Sequence, residues 1–235
     1  AAARENQQAQ AASDEQVCGI VNVSLTDRTA DNKVAMIVQR TQSGKTKQST
    51  AGIVQSQTFD ETEGLSLNIV FTQNVRISEN QFLSRVLNDT DINGVVAVMT
   101  SNPKKSELKD ERHLEFDNFD NAVFRHHLKE QNVFAQGKRI STVVMCSHHK
   151  RLPQTMELLE YLRDLHDAGG RNAHKRVILQ FDELHDFVGT SGKNVLGNVC
   201  STKDLIDMAR HLPFVHTILG LSATPRKVLE VFDSV

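Results

Sequence analysis

Short apolar runs, rich in β-branched residues, alternate along this chain with longer polar or amphipathic stretches. The runs are VAMIV (34–38), LNIVF (67–71), GVVAVM (94–99), STVVMC (141–146), RVILQF (176–181) and HTILGL (216–221), with VCGIVNV (17–23) as a further candidate. They are nearly continuous in apolar character, which is the pattern of strands covered on both faces. Between them lie stretches with helical spacing. The clearest is LPQTMELLEYLRDLHDAGG, where Met156, Leu159, Leu162 and Leu165 form a stripe and Gly169–Gly170 a stop. Other helices are expected to begin near Thr46, Ser78, Asn118, Ser201 and Pro225. Strand–helix alternation on this scale implies parallel pairing through right-handed crossovers, hence a three-layer α/β domain with a mostly parallel central sheet. Binding loops of such a sheet lie at the carboxyl ends of its strands. Asn102 to Glu115 and Gly189 to Asn198 are expected as mobile loops.

Composition narrows the class. A 235-residue chain with 39% apolar residues suffices for one well-buried core, and a formal charge of −2 announces no polyanion partner. The three cysteines, Cys18, Cys146 and Cys200, are far apart and odd in number, which fits a reducing intracellular compartment and not a disulfide framework. No apolar run is long enough to cross a bilayer, so no membrane partner is expected. Residues 1–16, rich in Ala and Gln, read as a disordered leader on a piece of a longer protein, and residues 17–235 as a single domain.

Three polar motifs follow three of the apolar runs. QRTQSGKTKQST (39–50) stands behind VAMIV and before a helix, where a phosphate-binding loop needs inward N–H groups, a lysine for the β- and γ-phosphates and a hydroxyl for Mg²⁺. An ordinary strand-to-helix turn is the alternative. DELH (182–185) follows RVILQF: an acidic residue there can hold magnesium through its water shell, and the next glutamate can orient or deprotonate a water. Acidic residues also favour a helix's first turn, so a surface helix start is the rival reading. SAT (222–224) follows HTILGL and precedes Pro225. Alone it is a common helix entry; the order of the three, each at a strand's carboxyl end, carries the weight.

Together RTQSGKT, DELH and SAT resemble the first RecA-like domain of superfamily 2 helicases and translocases, in their DExH branch, over roughly Val34 to Val235. The resemblance implies a RecA-like P-loop NTPase domain with ATP and Mg²⁺ as cofactors and DNA or RNA as partner. In that family motif I often reads A-x-T-G-S-G-K-T, and here Gln39 and Gln42 replace Ala and Gly. By resemblance, Thr41, Gln42, Ser43, Gly44, Lys45 and Thr46 would bind the nucleotide, with Lys45 on the β/γ-phosphates. Thr46 and Asp182 would manage Mg²⁺, Glu183 would be the hydrolytic base, and His185 would sense the γ-phosphate. Ser222, Ala223 and Thr224 would link hydrolysis to the grip on nucleic acid. Thr72, Asn74 and Arg76 lie where the family places one backbone-contacting motif, and Ser147, His148, Lys150 and Arg151 where it places the next. The second RecA-like domain and its arginine fingers are expected elsewhere in the full-length protein, so residues 1–235 alone should hydrolyse ATP weakly. An ATPase module of a nuclease or restriction-type enzyme and a non-catalytic scaffold are the competing readings.

GTSGKN (189–194) imitates a phosphate loop, but it follows no apolar strand and ends in Asn194 where a hydroxyl is required. The His pairs 126–127 and 148–149 do not converge as zinc ligands must. With one tyrosine and no tryptophan there is no aromatic platform for bases, so nucleic-acid contact should be backbone-directed.

Overall fold

The computed structural model describes residues 33–38, 45–58, 66–73, 76–100, 111–129, 139–169, 176–194 and 196–222, with only the backbone of Val38, Lys45, Thr58, Arg76 and Ile77. In chain order its elements are β1 (Val34–Val38), α1 (Lys45–Thr58), β2 (Ser66–Thr72), α2 (Arg76–Asn88), β3 (Val95–Met99), β4 (His113–Phe116) and α3 (Ala122–Lys129). There follow β5 (Ile140–Cys146), α4 (Arg151–Asp167), β6 (Arg176–Asp182), a 3₁₀ turn (Leu184–Asp186), β7 (Ser191–Lys193), β8 (Val199–Ser201), α5 (Thr202–His211) and β9 (Val215–Ser222). The expected leader, the candidate strand at 17–23 and the helix near Pro225 lie outside the described residues.

Seven of the strands form one parallel sheet in the order β1-β9-β6-β2-β5-β3-β4, and β7 and β8 form a separate antiparallel pair. Alternate residues of each strand face opposite layers. Leu67, Ile69, Phe71, Val177, Leu179 and Phe181 pack with Phe124 and Leu128 of α3, Leu158 and Leu162 of α4, and Leu205 and Ile206 of α5. Val70, Val96, Val98 and Val144 face the other way, onto Ile53 of α1 and Phe82, Leu83, Val86 and Leu87 of α2. Each large side chain so buried contributes roughly 1.5–3 kcal/mol. The result is the expected three-layer α/β architecture with helices on both faces.

All six strongly apolar runs are strands, most longer by a residue or two than their apolar segments. The departures have local causes. β4 has only four residues, HLEF, at the sheet edge, and carries no apolar run to betray it. The segment expected as a loop, Gly189 to Asn198, holds β7 and the turn of the β7–β8 hairpin, closed by Asn194, whose side chain accepts from the amides of Leu196 and Asn198. Helix α3 starts later than Asn118 because Asn118 caps only a turn, while Asn121 accepts from the amides of Val123 and Phe124. On α4 the buried stripe is Leu152, Thr155, Leu158, Leu159 and Leu162, and Met156 and Leu165 are only half-buried. Ser201 and Asp204 form the capping box that starts α5.

Helix α1 is held differently from the others. Its buried face is largely polar (Gln48, Ser49, Thr50, Ser56), and it binds the sheet by hydrogen bonds. Ser49 Oγ donates to Gln180 Oε1 at 2.5 Å, Gln180 Nε2 to Asn68 Oδ1 at 3.4 Å, and Asn68 Nδ2 to Ser56 Oγ at 2.8 Å. Ser66, at the start of β2, donates to the Ser56 carbonyl at 3.0 Å. Ser49 therefore lies toward the carboxyl end of β6 and Ser56 toward the amino end of β2, so α1 runs antiparallel to the strands. Its N-terminus meets the sheet's carboxyl edge.

Because this network is fully buried, removing one member strands its partners. Asn68→Ala is expected to cost about 1–3 kcal/mol in chemical denaturation, and more than Asn88→Ala on the exposed end of α2.

Candidate functional site

Register brings the three motif-bearing strands level. Leu221 of β9 pairs with Ile37 of β1 on one side and with Asp182 of β6 on the other, while Val38 pairs with Ser222. On β2 the pair Phe71–Phe181 puts Thr72 level with Asp182, and Thr72 in turn pairs with Cys146 of β5. One carboxyl edge thus carries the entry to α1, DELH, the first residue of SAT, and both segments expected to meet nucleic acid. Residues 39–44, Asn74, Ala223 and Thr224 lie outside the described residues, as do the side chains of Lys45 and Arg76.

Strand alternation separates the acidic motif by face. Gln180 bonds to α1, so Asp182, two residues on, belongs to the α1 face of the sheet. Lys45 and Thr46 open α1 at that same edge, with Thr46 half-buried. A hydroxyl and a carboxylate on one face are oxygen donors of the kind magnesium takes, and a helix N-terminus beside them suits phosphate.

At Glu183 the chain reverses through a left-handed conformation, φ 60° and ψ 57°, found at no other non-glycine among the described residues. Such a backbone costs a residue with a Cβ about 1–2 kcal/mol. The packing of the next four residues sustains it. Leu184 is buried against Gly220, where a Cβ would lie 2.4 Å from Leu184 Cδ2. Phe187 packs edge-on to Phe71 and Phe181, with centroids 5.5 and 5.4 Å away, and those two rings stack at 4.8 Å.

The turn returns His185 to the end of β9. His185 Nδ1 is 3.1 Å from Ser222 Oγ and 3.4 Å from Glu183 Oε2, and Nε2 is 3.4 Å from Asp186 Oδ1. DELH and SAT, 37 residues apart in sequence, therefore touch through one imidazole. Sequence reasoning missed Asp186, Gln73 and Gly220. Gln73 Nε2 donates to Asp186 Oδ2 at 3.1 Å, and Ser78 Oγ donates to Gln73 Oε1 at 3.1 Å. Asp186, directly after DELH in a strand-end motif, was the signal available.

The candidates beyond β2 and β5 divide. Thr72 is fully buried, its hydroxyl 3.4 Å from the Met145 carbonyl, and Ser147 is buried with its amide donating to the Thr72 carbonyl at 2.8 Å. Arg151 is buried too: Nη1 donates to the Asp117 carbonyl at 2.9 Å and to Gln154 Oε1 at 2.7 Å. Lys150 is exposed and His148 half-buried. Burial, with the positive charges of His149, Arg151 and Lys150, holds His148 below the ordinary histidine range. Behind them Glu79 of α2 is buried and accepts from Cys146 Sγ at 3.2 Å. Burial and the Glu79 carboxylate push the Cys146 thiol up to about 12. The hairpin is seated on this region: a Cβ on Gly192 would fall 1.8 Å from the His149 carbonyl oxygen.

No protein-family model and no curated protein matches the chain. Among solved structures it is similar to a nuclease-deletion mutant of the Type ISP restriction-modification enzyme LlaGI, in complex with a DNA substrate mimic, at TM-score 0.52 and 12% identity. The match covers 89% of this chain and 17% of that one, so the chain spans about a sixth of that enzyme's length. With the seven-stranded parallel sheet, this establishes a three-layer RecA-like fold. Among the described residues no helix is long and apolar enough to cross a membrane, and no group of His, Cys, Asp and Glu side chains is arranged to hold a metal by itself.

This geometry has two measurable outcomes. Gly220→Ala should displace Leu184 and cost about 1–3 kcal/mol, as overpacking does, with loss of the His185–Ser222 contact visible by histidine NMR. Cys146 should resist alkylation at neutral pH, reacting only as pH climbs toward its raised range. Glu79→Gln removes a charge that opposes the thiolate, so reactivity should begin at lower pH; an unchanged profile would contradict the assigned cause.

Proposed function

We propose that this is the ATP-binding motor domain of a DExH-type helicase or nucleic-acid translocase, an ATPase that works with a second RecA-like domain. The observation that carries the reading is the levelling of β1, β9 and β6, with the His185–Ser222 contact between the two later motifs. Motifs placed by chance along the sequence have no reason to meet at one edge of a sheet.

Bound Mg²⁺–ATP would supply a γ-phosphorus open to attack by water. The chain's own residues would act around it by position and charge. Lys45 and the α1 N-terminus would hold phosphate charge, together with Thr41, Gln42, Ser43, Gly44 and Thr46 of the same motif. Thr46 and Asp182 would hold the metal from the α1 face. Glu183, placed by its left-handed backbone, would take the proton of the attacking water. His185 lies between that carboxylate and Ser222, and Ala223 and Thr224, next in the sequence, would extend the connection. On the nucleic-acid side, exposed Lys150 and half-buried His148 suit backbone contact, and Asn74 and Arg76 remain candidates by their place in the sequence. Buried Thr72, Ser147 and Arg151 would hold that edge together from within.

A second reading is favoured by the similarity to LlaGI, that the same ATPase core serves a restriction-type enzyme and acts on DNA. The two differ in what is attached to the core, and the chemistry at this edge is common to both.

Titration with a fluorescent ATP analogue and Mg²⁺ tests the reading. Lys45→Ala should weaken binding roughly 10- to 100-fold, the scale of one charge-assisted contact, while Lys193→Ala in the β7 decoy leaves it unchanged. Equal affinity in wild type and Lys45→Ala would end the case for a phosphate loop.

A further inference from the structure

Three large apolar side chains are exposed among the described residues, and two of them stand on the β7–β8 hairpin: Leu196 at 81% and Val199 at 64%. An isolated exposed leucine needs no explanation. Two on one small hairpin, displayed as these are, do. Lys193 pairs with Val199 and Gly192 with Cys200. Paired residues of a ribbon share a face and successive residues alternate, so Gly192 and Cys200 turn inward, where they are buried, while Lys193 and Val199 stand side by side on the exposed face. The turn that carries Leu196 is tied down. Asn194 Oδ1 accepts from the Leu196 and Asn198 amides at 3.0 and 2.9 Å, the Asn194 amide donates to the Asn198 carbonyl at 3.0 Å, and Gly197 takes a positive φ of 82°.

The inner side fixes where this surface points. A Cβ at Gly192 would fall on the His149 carbonyl oxygen and lie 3.1 Å from Pro153 Cδ, so the hairpin's main chain rests directly on the segment after β5 and the first turn of α4. At its base, Thr202 Oγ1 donates to the Phe187 carbonyl at 2.7 Å and the Thr202 amide to the Thr190 carbonyl at 3.3 Å. The hairpin is thus mounted at the carboxyl edge, on the α4 side of the sheet and away from α1.

Charge selects the partner. Residues 187–203 contain two lysines and no acidic residue, and residues 147–156, on which they rest, contain Lys150, Arg151 and no acidic residue either. In a chain of formal charge −2 this is a local reversal of sign. Lys150 and Lys193 are both exposed. Cations beside aliphatic groups, with no carboxylate among them, suit a polyanion that also has apolar faces, which describes a single strand of nucleic acid. Two aliphatic side chains are too little apolar area to hold a membrane surface.

We propose that the β7–β8 hairpin is a nucleic-acid contact in its own right, with Leu196 and Val199 packed on the bases of a single strand and Lys193 and Lys150 on its phosphates. The partner rests on the motor-domain reading. The inference goes beyond that reading because the contact lies outside the three motifs and reaches bases in a chain with one tyrosine and no tryptophan. Aliphatic side chains make no hydrogen bond to a base, so the contact tolerates any sequence. Its place on the α4 side keeps it apart from the nucleotide loop.

The test is fluorescence anisotropy with labelled single strands of about 16 nucleotides: a mixed-sequence DNA, the same sequence as RNA, and an abasic DNA of equal length that keeps the phosphates and lacks the bases. Leu196→Ser and, independently, Val199→Ser should weaken binding of the base-bearing strand roughly three- to tenfold and leave the abasic strand unchanged. Lys193→Gln should weaken both and lower the slope of log K against log salt by roughly 0.7, the value of one phosphate on a single strand. All three replace exposed side chains, so thermal unfolding should stay in place. If wild type binds and Lys150→Gln weakens it, while Leu196→Ser and Val199→Ser match wild type, the hairpin contact is overturned and the motor-domain reading stands. An equal loss on the abasic strand would overturn the contact with bases. No binding of any strand by wild type would overturn the nucleic-acid reading and the hairpin's partner together. Self-association that Leu196→Ser abolishes, with oligonucleotide affinity unchanged, would assign this face to a second copy of the chain instead.

Discussion

The site depends on one constraint, the parallel register that inserts β9 between β1 and β6. A parallel sheet delivers every strand's carboxyl end to the same edge, and the pairing of Leu221 with both Ile37 and Asp182 fixes those ends at one height. A slip of one residue in β9 would turn Ser222 to the α1 face, away from His185, and drive Leu184 against a side chain larger than hydrogen. The register is protected by burial: Ile218, Leu219 and Leu221 of β9 are buried, and a slipped strand would misplace that segment against two packed layers.

Much of the framework was legible because it is apolar. Strands buried on both faces write themselves as continuous runs, and all six strong runs are strands of the sheet. What stayed hidden is polar or local. β4 is four residues at an edge, without a run. The hairpin is written in Ser, Gly, Asn and Lys, and takes its shape from the Asn194 side chain and from a main-chain approach at Gly192 that no residue type announces. The motifs indicated where chemistry would gather, and register shows that DELH and SAT meet. The neighbours that orient His185 were invisible, because Gln73 and Asp186 pair only through the fold. Burial likewise sorts the basic segment after β5, where Arg151 turns inward and Lys150 outward, a distinction two adjacent cations cannot make in a sequence.

The attachment of α1 shows a different balance of forces. The other helices adhere through leucine and phenylalanine, whereas α1 presents serine, threonine and glutamine to the sheet and is fastened by Ser49, Gln180, Asn68 and Ser56. Apolar contact tolerates sliding. Directional bonds at both ends of the helix do not, so α1's first turn is held at a fixed height relative to Asp182. The proposed nucleotide site, assembled from a helix end and a strand end, would need that fixity more than adhesion.

The left-handed backbone at Glu183 separates two kinds of damage at one position. Valine, isoleucine or threonine there would clash with their own main chain before any question of acidity arose, so their failure would report on geometry. Glutamine keeps the shape of glutamate and exchanges a charged acceptor oxygen for a neutral amide donor. Glycine would relax the peptide and release the aim of the imidazole two residues on. The protein thus guards this residue twice, by what its side chain can accept and by what its main chain will allow.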